Sequence, residues 1–310
     1  MTAFTSGHDV IRRILLATDL SARCDRALDR ALSLARETRA HLVIVHAFEE
    51  ATPPSFSHAT EVAPSWRAPP DAAEIAKEHI RRGLHADVMD VVENATVLVM
   101  EGEPDDVIER VVATEGIDLI VTGIAREGVF AKGPVILGRT VEKLLRRLGV
   151  PILIVRNRPR GPYTHILATT DFSDASANAL QVALSFFPDR TLHLLHAFEV
   201  PHPARMTDLS RQIESFRTTL STDLAAFVNS TVLPEEARRR IVGLVEYGKP
   251  AQLVREYVRD RGADLVVLGT RGRSAMLEAL IGSTAKSILQ TLPCDALVVR
   301  GPLQRMPRER

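Results

Sequence analysis

The 310-residue chain is poor in most features that announce a specialised environment. It has two cysteines, Cys24 and Cys294, too few and too far apart for a disulfide framework or a zinc site. Lys and Arg total 39, and so do Asp and Glu, so neither sign of charge prevails. A protein that grips nucleic acid through its phosphates carries a basic excess, which this chain lacks. No apolar run approaches the ~20 residues a membrane-spanning helix needs, and the mean hydropathy is +0.01. The start, MTAFTSGHDVIRR, has no apolar segment of the signal-peptide kind. The expectation is a reduced, cytoplasmic protein with neither nucleic acid nor membrane as partner. What is present, 45% hydrophobic and 25% charged residues, builds ordinary cores. At roughly 150 residues per domain, the length suggests two of them.

The chain says the same thing twice. ILLATDLS at Ile14–Ser21 returns as ILATTDFS at Ile166–Ser173, and HLVIVHAFE at His41–Glu49 returns as LHLLHAFE at Leu192–Glu199. VMEGEP at Val99–Pro104 matches VEYGKP at Val245–Pro250, and DLIVTG at Asp118–Gly123 matches DLVVLG at Asp264–Gly269. Last, ILIVR at Ile152–Arg156 matches ALVVR at Ala296–Arg300. Five blocks in one order make a tandem duplication. The connector is Asn157–Pro162, NRPRGP, which sets the domains at 9–157 and 162–301. Glu50–Pro70, with five of the 18 prolines, reads as a surface excursion of the first repeat, and the basic tail from Gly301 as frayed.

Each repeat alternates short Val-, Ile- and Leu-rich runs with helical patterns. In the second, Ile166–Thr169, Leu192–Ala197, Ile241–Tyr247, Leu265–Leu268 and Ala296–Arg300 read as buried parallel strands. Ala179, Val182, Ala183, Phe186 and Phe187 recur at helical spacing and define one apolar face. Pro104 and Pro250 open helices, where a missing N–H costs nothing. Five strands alternating with helices make each repeat a doubly wound α/β domain.

Ligands of such sheets bind beyond the carboxyl ends of the strands. There, Asp171 closes the first strand of repeat two. The fourth strand ends in Gly269-Thr270-Arg271-Gly272-Arg273-Ser274, and Gly282-Ser283-Thr284 opens the next helix. The spacing is G-x2-G-x9-G-S. Its glycines suit close approach to a phosphate chain, the helix start offers free amides, and Arg271 and Arg273 add charge. Neither a G-x4-G-K-[ST] loop nor a G-x-G-x-x-G turn after the first strand is present. Asp171 is equally open to a role as helix N-cap, as is Ser173. His46 and His196, near the ends of matching strands, read as structural histidines beneath the site, and Cys294 as a core thiol.

Together these residues resemble the universal stress proteins in their tandem form. The resemblance covers nearly the whole chain and implies the adenine nucleotide α-hydrolase-like sheet, strand order 3-2-1-4-5, in both of two tandem five-stranded parallel-sheet domains. It also implies a site for ATP, ADP or AMP with bridging Mg²⁺ or Mn²⁺. Asp171 would meet the ribose or the metal, while Ala197 and Leu268 would lie near adenine and sugar. Gly269, Gly272, Gly282, Ser283 and Thr284 would hold the phosphates.

Repeat one keeps Asp19, Ala47, Gly123, Gly138 and Thr140 but has Arg126 for Gly272 and Arg139 for Ser283, with two extra residues and Pro134 in the loop. It is expected to bind nucleotide poorly or to prefer another ligand. The fifth strand follows Val150-Pro151 in repeat one but Cys294-Asp295 in repeat two. Ile152–Val155 and Ala296–Val299 are apolar edges in need of cover; pairing with each other would make an intramolecular dimer, and two chains could associate further as a homodimer. The functional expectation is a nucleotide-dependent stress-response protein with at most slow ATP hydrolysis. An ATP-dependent adenylating or hydrolytic enzyme and a scaffold for a non-nucleotide ligand stand as alternatives.

Overall fold

The computed structural model describes residues 11–21, 24–48, 78, 82, 94–124, 138–200, 208–270 and 281–300. The excursion over Glu50–Pro70, the loop positions Arg126, Pro134, Arg271, Gly272 and Arg273, and the tail from Gly301 lie outside them. The first domain runs β1 (Arg13–Ala17), α1 (Asp25–Thr38), β2 (His41–Phe48), β3 (Ala95–Glu101), α2 (Pro104–Glu115), β4 (Leu119–Gly123), α3 (Arg139–Arg147) and β5 (Ile152–Val155). The second runs β6 (Ile166–Thr169), α4 (Asp174–Phe186), β7 (Leu192–Phe198), α5 (Leu209–Ser230), the single turn α6 (Glu235–Arg238), β8 (Ile241–Tyr247), α7 (Pro250–Arg261), β9 (Leu265–Gly269), α8 (Ser283–Thr291) and β10 (Asp295–Val299).

All strand pairs within a domain are parallel, and each domain has the order 3-2-1-4-5 in its own count. The strands are near-continuous apolar runs because helices cover both faces. A carboxylate at the start of the fourth strand pins the first in each domain. Asp118 accepts from the Arg12 and Arg13 amides, and Asp264 accepts from those of Thr164 and His165. In α4 the Ser173 hydroxyl caps the helix, accepting from the Ser176 amide at 3.3 Å. The buried face of α4 is Ala175, Ser176, Ala179, Leu180, Ala183 and Leu184. It is rotated from the face expected through Val182, Phe186 and Phe187, which pack only half-buried against the core. The bulky residues flank the stripe because the small ones let α4 approach the sheet closely.

β5 and β10 join the two sheets into one of ten strands, running antiparallel with Ala296 opposite Ile154, Leu297 opposite Leu153 and Val298 opposite Ile152. Alternate residues of both strands enter two cores, one on each face of the joint sheet, so each core is continuous across the junction.

Asp295 seals this junction. One carboxylate oxygen accepts from the amides of Arg156 (2.8 Å) and Asn157 (3.0 Å), the other from the Tyr163 hydroxyl (2.6 Å), and the Arg30 guanidinium stands 3.6 Å away. Arg30 also lies 3.9 Å over the Tyr163 ring and donates to the Gly161 carbonyl. The connector is thereby tied at both ends. Asp295 is 1% exposed, so its charge is tolerable only because every contact is a donor or a cation. Here lies the physical reason that Asp stands where the first repeat has Pro151: the second copy needs a carboxylate where the chain crosses between domains.

Asp295→Ala leaves the Arg30 guanidinium buried without its counter-charge. It is expected to destabilise the fold by about 3–5 kcal/mol, read by urea denaturation. Burial, and then the neighbouring Asp295 charge, hold the Tyr163 hydroxyl well above the ordinary tyrosine range. The folded chain therefore keeps a proton that the unfolded chain releases above ~10. This contribution is complete below about pH 10 and is lost as the pH rises past it. The denaturation midpoint should fall as the pH rises past about 10, and less steeply in Tyr163→Phe.

Candidate functional site

In both domains the first strand is followed by Thr-Asp, and the residue after the aspartate is left-handed: φ is 60° at Leu20 and 63° at Phe172. A non-glycine residue pays about 1–2 kcal/mol for this conformation. The turn is held by side chains. Thr18 Oγ1 accepts from the Leu20 amide and Thr170 Oγ1 from that of Phe172, while Asp19 and Asp171 accept from the Ser21 and Ser173 amides. His46 Nδ1 donates to the Thr18 carbonyl at 3.0 Å, and His196 Nδ1 to that of Thr170 at 2.9 Å. Both histidines thus pin the loop from the second strand, and His196 also stacks on Phe172 at 4.1 Å.

Above the second-domain turn lies a cavity of about 210 Å³. Asp171, Ala197, Leu268, Gly269, Gly282, Ser283 and Thr284 all line it, contributed by the ends of β6, β7 and β9 and the start of α8. Seven positions read from the sequence thus meet in one place; Arg271 and Gly272 lie outside the described residues. His196 lines the same cavity, joined by Thr170, Ser176 and Pro250, which sequence reasoning passed over. The repeat alignment holds a signal for two of them: Thr170 answers Thr18, and Ser176 answers Cys24 at the same distance past the aspartate. Asp171 is not the helix cap; Ser173 is. α8 starts at Gly282 with no side-chain cap and no acid in its first turn, so among the described residues its first amides, at the cavity's rim, have no side-chain acceptor.

Gly269 carries a second constraint. A Cβ there would meet the Ala175 carbonyl carbon and oxygen at 3.0 Å and the Ser176 amide at 3.2 Å. A side chain there would press on the backbone of α4, so the glycine eases the passage of β9 whatever the cavity holds.

The first domain has the matching cavity, of about 290 Å³, lined by Asp19, Ala47, Gly123, Gly138 and Thr140. Two features set it apart. Arg139 lines it at the first position of α3, where the second domain has Ser283, and Cys24 stands in place of Ser176. Burial pushes the Asp19 carboxyl up, but hydrogen bonds from the Cys24 thiol and Ser21 outweigh it and hold the group below the usual carboxylate range. Burial, and then donation to Asp19, push the Cys24 thiol up. This cysteine is therefore a poor nucleophile.

Gly269→Ala is expected to cost about 1–3 kcal/mol in thermal or urea unfolding, because backbone on both sides must move.

The universal stress protein family model matches residues 11–156 and again 162–300. Universal stress protein A homolog 1 of Coxiella burnetii is 32% identical over 149 residues, which is 44% of this chain and 96% of that relative. Universal stress protein E of Escherichia coli is 25% identical over 182 residues, 54% of this chain, and the chain spans only 56% of that relative's length. The crystal structure of a universal stress protein from Archaeoglobus fulgidus shares the fold, with a TM-score of 0.60 at 18% identity over 93% of this chain and 96% of that one. Two matches in tandem, one on each α/β repeat, cover nearly all of the sequence. The chain belongs to the universal stress protein family, and with it to the stress response.

Proposed function

We propose that the second-domain cavity binds an adenine nucleotide, ATP first among them, and that occupancy regulates the chain's conformation or partners. The observation that carries this reading is the convergence, at the ends of β6, β7 and β9, of a strand-end carboxylate, an apolar wall and an uncapped helix start. Leu268, Val254 and Ile288 give adenine an apolar surface, Asp171 suits ribose hydroxyls, and the α8 amides with Ser283 and Thr284 suit phosphate oxygens. Among the described residues no cluster of three or more His, Cys, Asp or Glu is placed to hold a metal ion. Asp171 with the Ser283 and Thr284 hydroxyls fits instead a Mg²⁺ or Mn²⁺ that arrives with the phosphates, where it would neutralise their charge.

The role is that of a binding protein rather than an adenylating enzyme. His196, which lines the cavity, is already committed to the Thr170 carbonyl and the Phe172 ring. In the first domain Arg139 brings a long side chain to the helix start, so that cavity is expected to hold nucleotide more weakly.

Gly282 has φ −56° and ψ 146°, a backbone any residue adopts, so Gly282→Arg fills the phosphate position without straining the chain. Calorimetric titration with ATP and Mg²⁺ should give a single site on the native chain. Its affinity should fall at least about tenfold in the variant, or ~1.4 kcal/mol. Unchanged affinity removes this cavity from the reading, and two equal sites overturn the weakness assigned to the first domain. Pyrophosphate release on adding an acceptor would favour the adenylating enzyme.

A further inference from the structure

Beside the second-domain cavity an open groove of about 420 Å³ runs from the starts of α7 and α8 along both helices, as far as Arg255 on one and Thr291 at the end of the other. It shares Pro250, Ser283 and Thr284 with the cavity and continues along Lys249, Arg255, Ser287 and Thr291. The duplication shows what this place looks like when it is closed. With Pro104 aligned to Pro250 and Gly138 to Gly282, the same inter-helix space of the first domain is spanned by ion pairs. Asp105 holds Lys143 and Arg147, each at 2.9 Å, and Arg147 also reaches Asp106 at 2.8 Å and Glu109 at 2.5 Å.

None of that network survives in the second domain. Asp105, Asp106 and Glu109 become Ala251, Gln252 and Arg255, while Lys143 and Arg147 become Ser287 and Thr291. The helix ends change with them. α2 carries Asp105 and Asp106 in its first turn and α3 carries Glu142, which suit the positive ends of their dipoles. α7 and α8 have no acid in their first turns and no side-chain cap, and Lys249 replaces Glu103 as the N-cap residue of α7. Two positive helix ends thus face one groove together with two cations, against the single lining acid Glu199 among the described residues. Such an arrangement is unfavourable by itself and is relieved by an outside anion.

We infer that the groove is a second anion subsite, contiguous with the nucleotide cavity, which takes the far end of a phosphate chain longer than that of ATP. The anchored end rests on the nucleotide reading above. Among the described residues no aromatic side chain lines the groove, so they offer a second base nothing to stack on. Three hydroxyls, from Ser283, Thr284 and Ser287, and two cations suit phosphate oxygens, while the Thr291 hydroxyl donates to the Ser287 carbonyl. The first domain closes the same path with its own charges.

The test grafts the closed state onto the open one: Ala251→Asp, Gln252→Asp, Arg255→Glu, Ser287→Lys and Thr291→Arg together in the full chain. Calorimetry with Mg²⁺ compares ATP, adenosine 5′-tetraphosphate and inorganic tripolyphosphate, and thermal melting confirms that the graft folds. The tetraphosphate should bind the native chain about tenfold tighter than ATP. The graft should erase that advantage and leave ATP affinity within about twofold. Lys249→Gln with Arg255→Gln should reduce the advantage without adding bulk. A tetraphosphate no tighter than ATP, or an advantage that survives the graft, overturns the subsite and leaves the nucleotide reading standing. If ATP does not bind, the nucleotide reading fails, and tripolyphosphate decides the groove alone. Binding abolished by the graft keeps it as an anion site, and no binding or an unchanged affinity overturns it.

Discussion

The antiparallel junction between β5 and β10 is the constraint on which the rest of the molecule depends. Each repeat alone would end its sheet in an exposed apolar edge, Ile152–Val155 or Asp295–Val299, with unpaired backbone groups ready to recruit another chain. Laying one edge along the other removes both at once and makes the two cores continuous. The carboxylate of Asp295 then holds the crossing chain at Arg156, Asn157 and Tyr163. A buried charge in that position is a weak source of net stability, but it is intolerant of any arrangement that leaves it or Arg30 unpaired. The geometry between the domains follows, including the approach of α3 and α8 on one face, where Lys286 stands 3.7 Å from Glu142.

On this shared frame the two copies keep the same strained turn and differ in what surrounds it. The left-handed Leu20 and Phe172, the threonine and aspartate that hold each turn, and the histidine that pins it from the second strand are common to both. Strain kept twice, and supported twice by the same side chains, marks a turn whose shape matters more than its cost. The differences gather at the helix starts beyond it: Arg139 for Ser283, Cys24 for Ser176, and an ion-pair network in one domain where the other has hydroxyls and cations. Duplication has left one copy that supplies its own counter-charges and one that leaves them to be supplied.

Much of this was legible in the sequence, because the signals are local. Strand runs such as Leu265–Leu268 are apolar over their whole length since both faces are buried, and Ser173 caps α4 through a hydrogen bond three residues long. The glycine, serine and threonine at 282–284 mark a helix start wherever the chain folds. Gly269 shows the limit of such reading. Its place in a motif suggests a ligand, but its contact with the Ala175 backbone, nearly a hundred residues away, is a requirement of packing. The face of α4 was misplaced for a similar reason: the pattern of large residues pointed to Phe186 and Phe187, while close approach to the sheet selected Ala179, Leu180 and Ala183.

The sequence by itself determined the duplication, the α/β class, the strand order through its likeness to a family, and the residues gathered at the strand ends. These follow from periodicity and short-range capping, which act over a few residues and leave their mark in the order of the chain. Only the tertiary structure decided why Asp295 stands in place of Pro151, why a side chain at Gly269 would crowd α4, and which helix pair is strapped and which is open. Those outcomes depend on Arg30 meeting Asp295, and on Asp105 meeting Lys143 and Arg147 across two helices. Charges pair by distance in space, and that distance exists only once the sheet has brought its helices together.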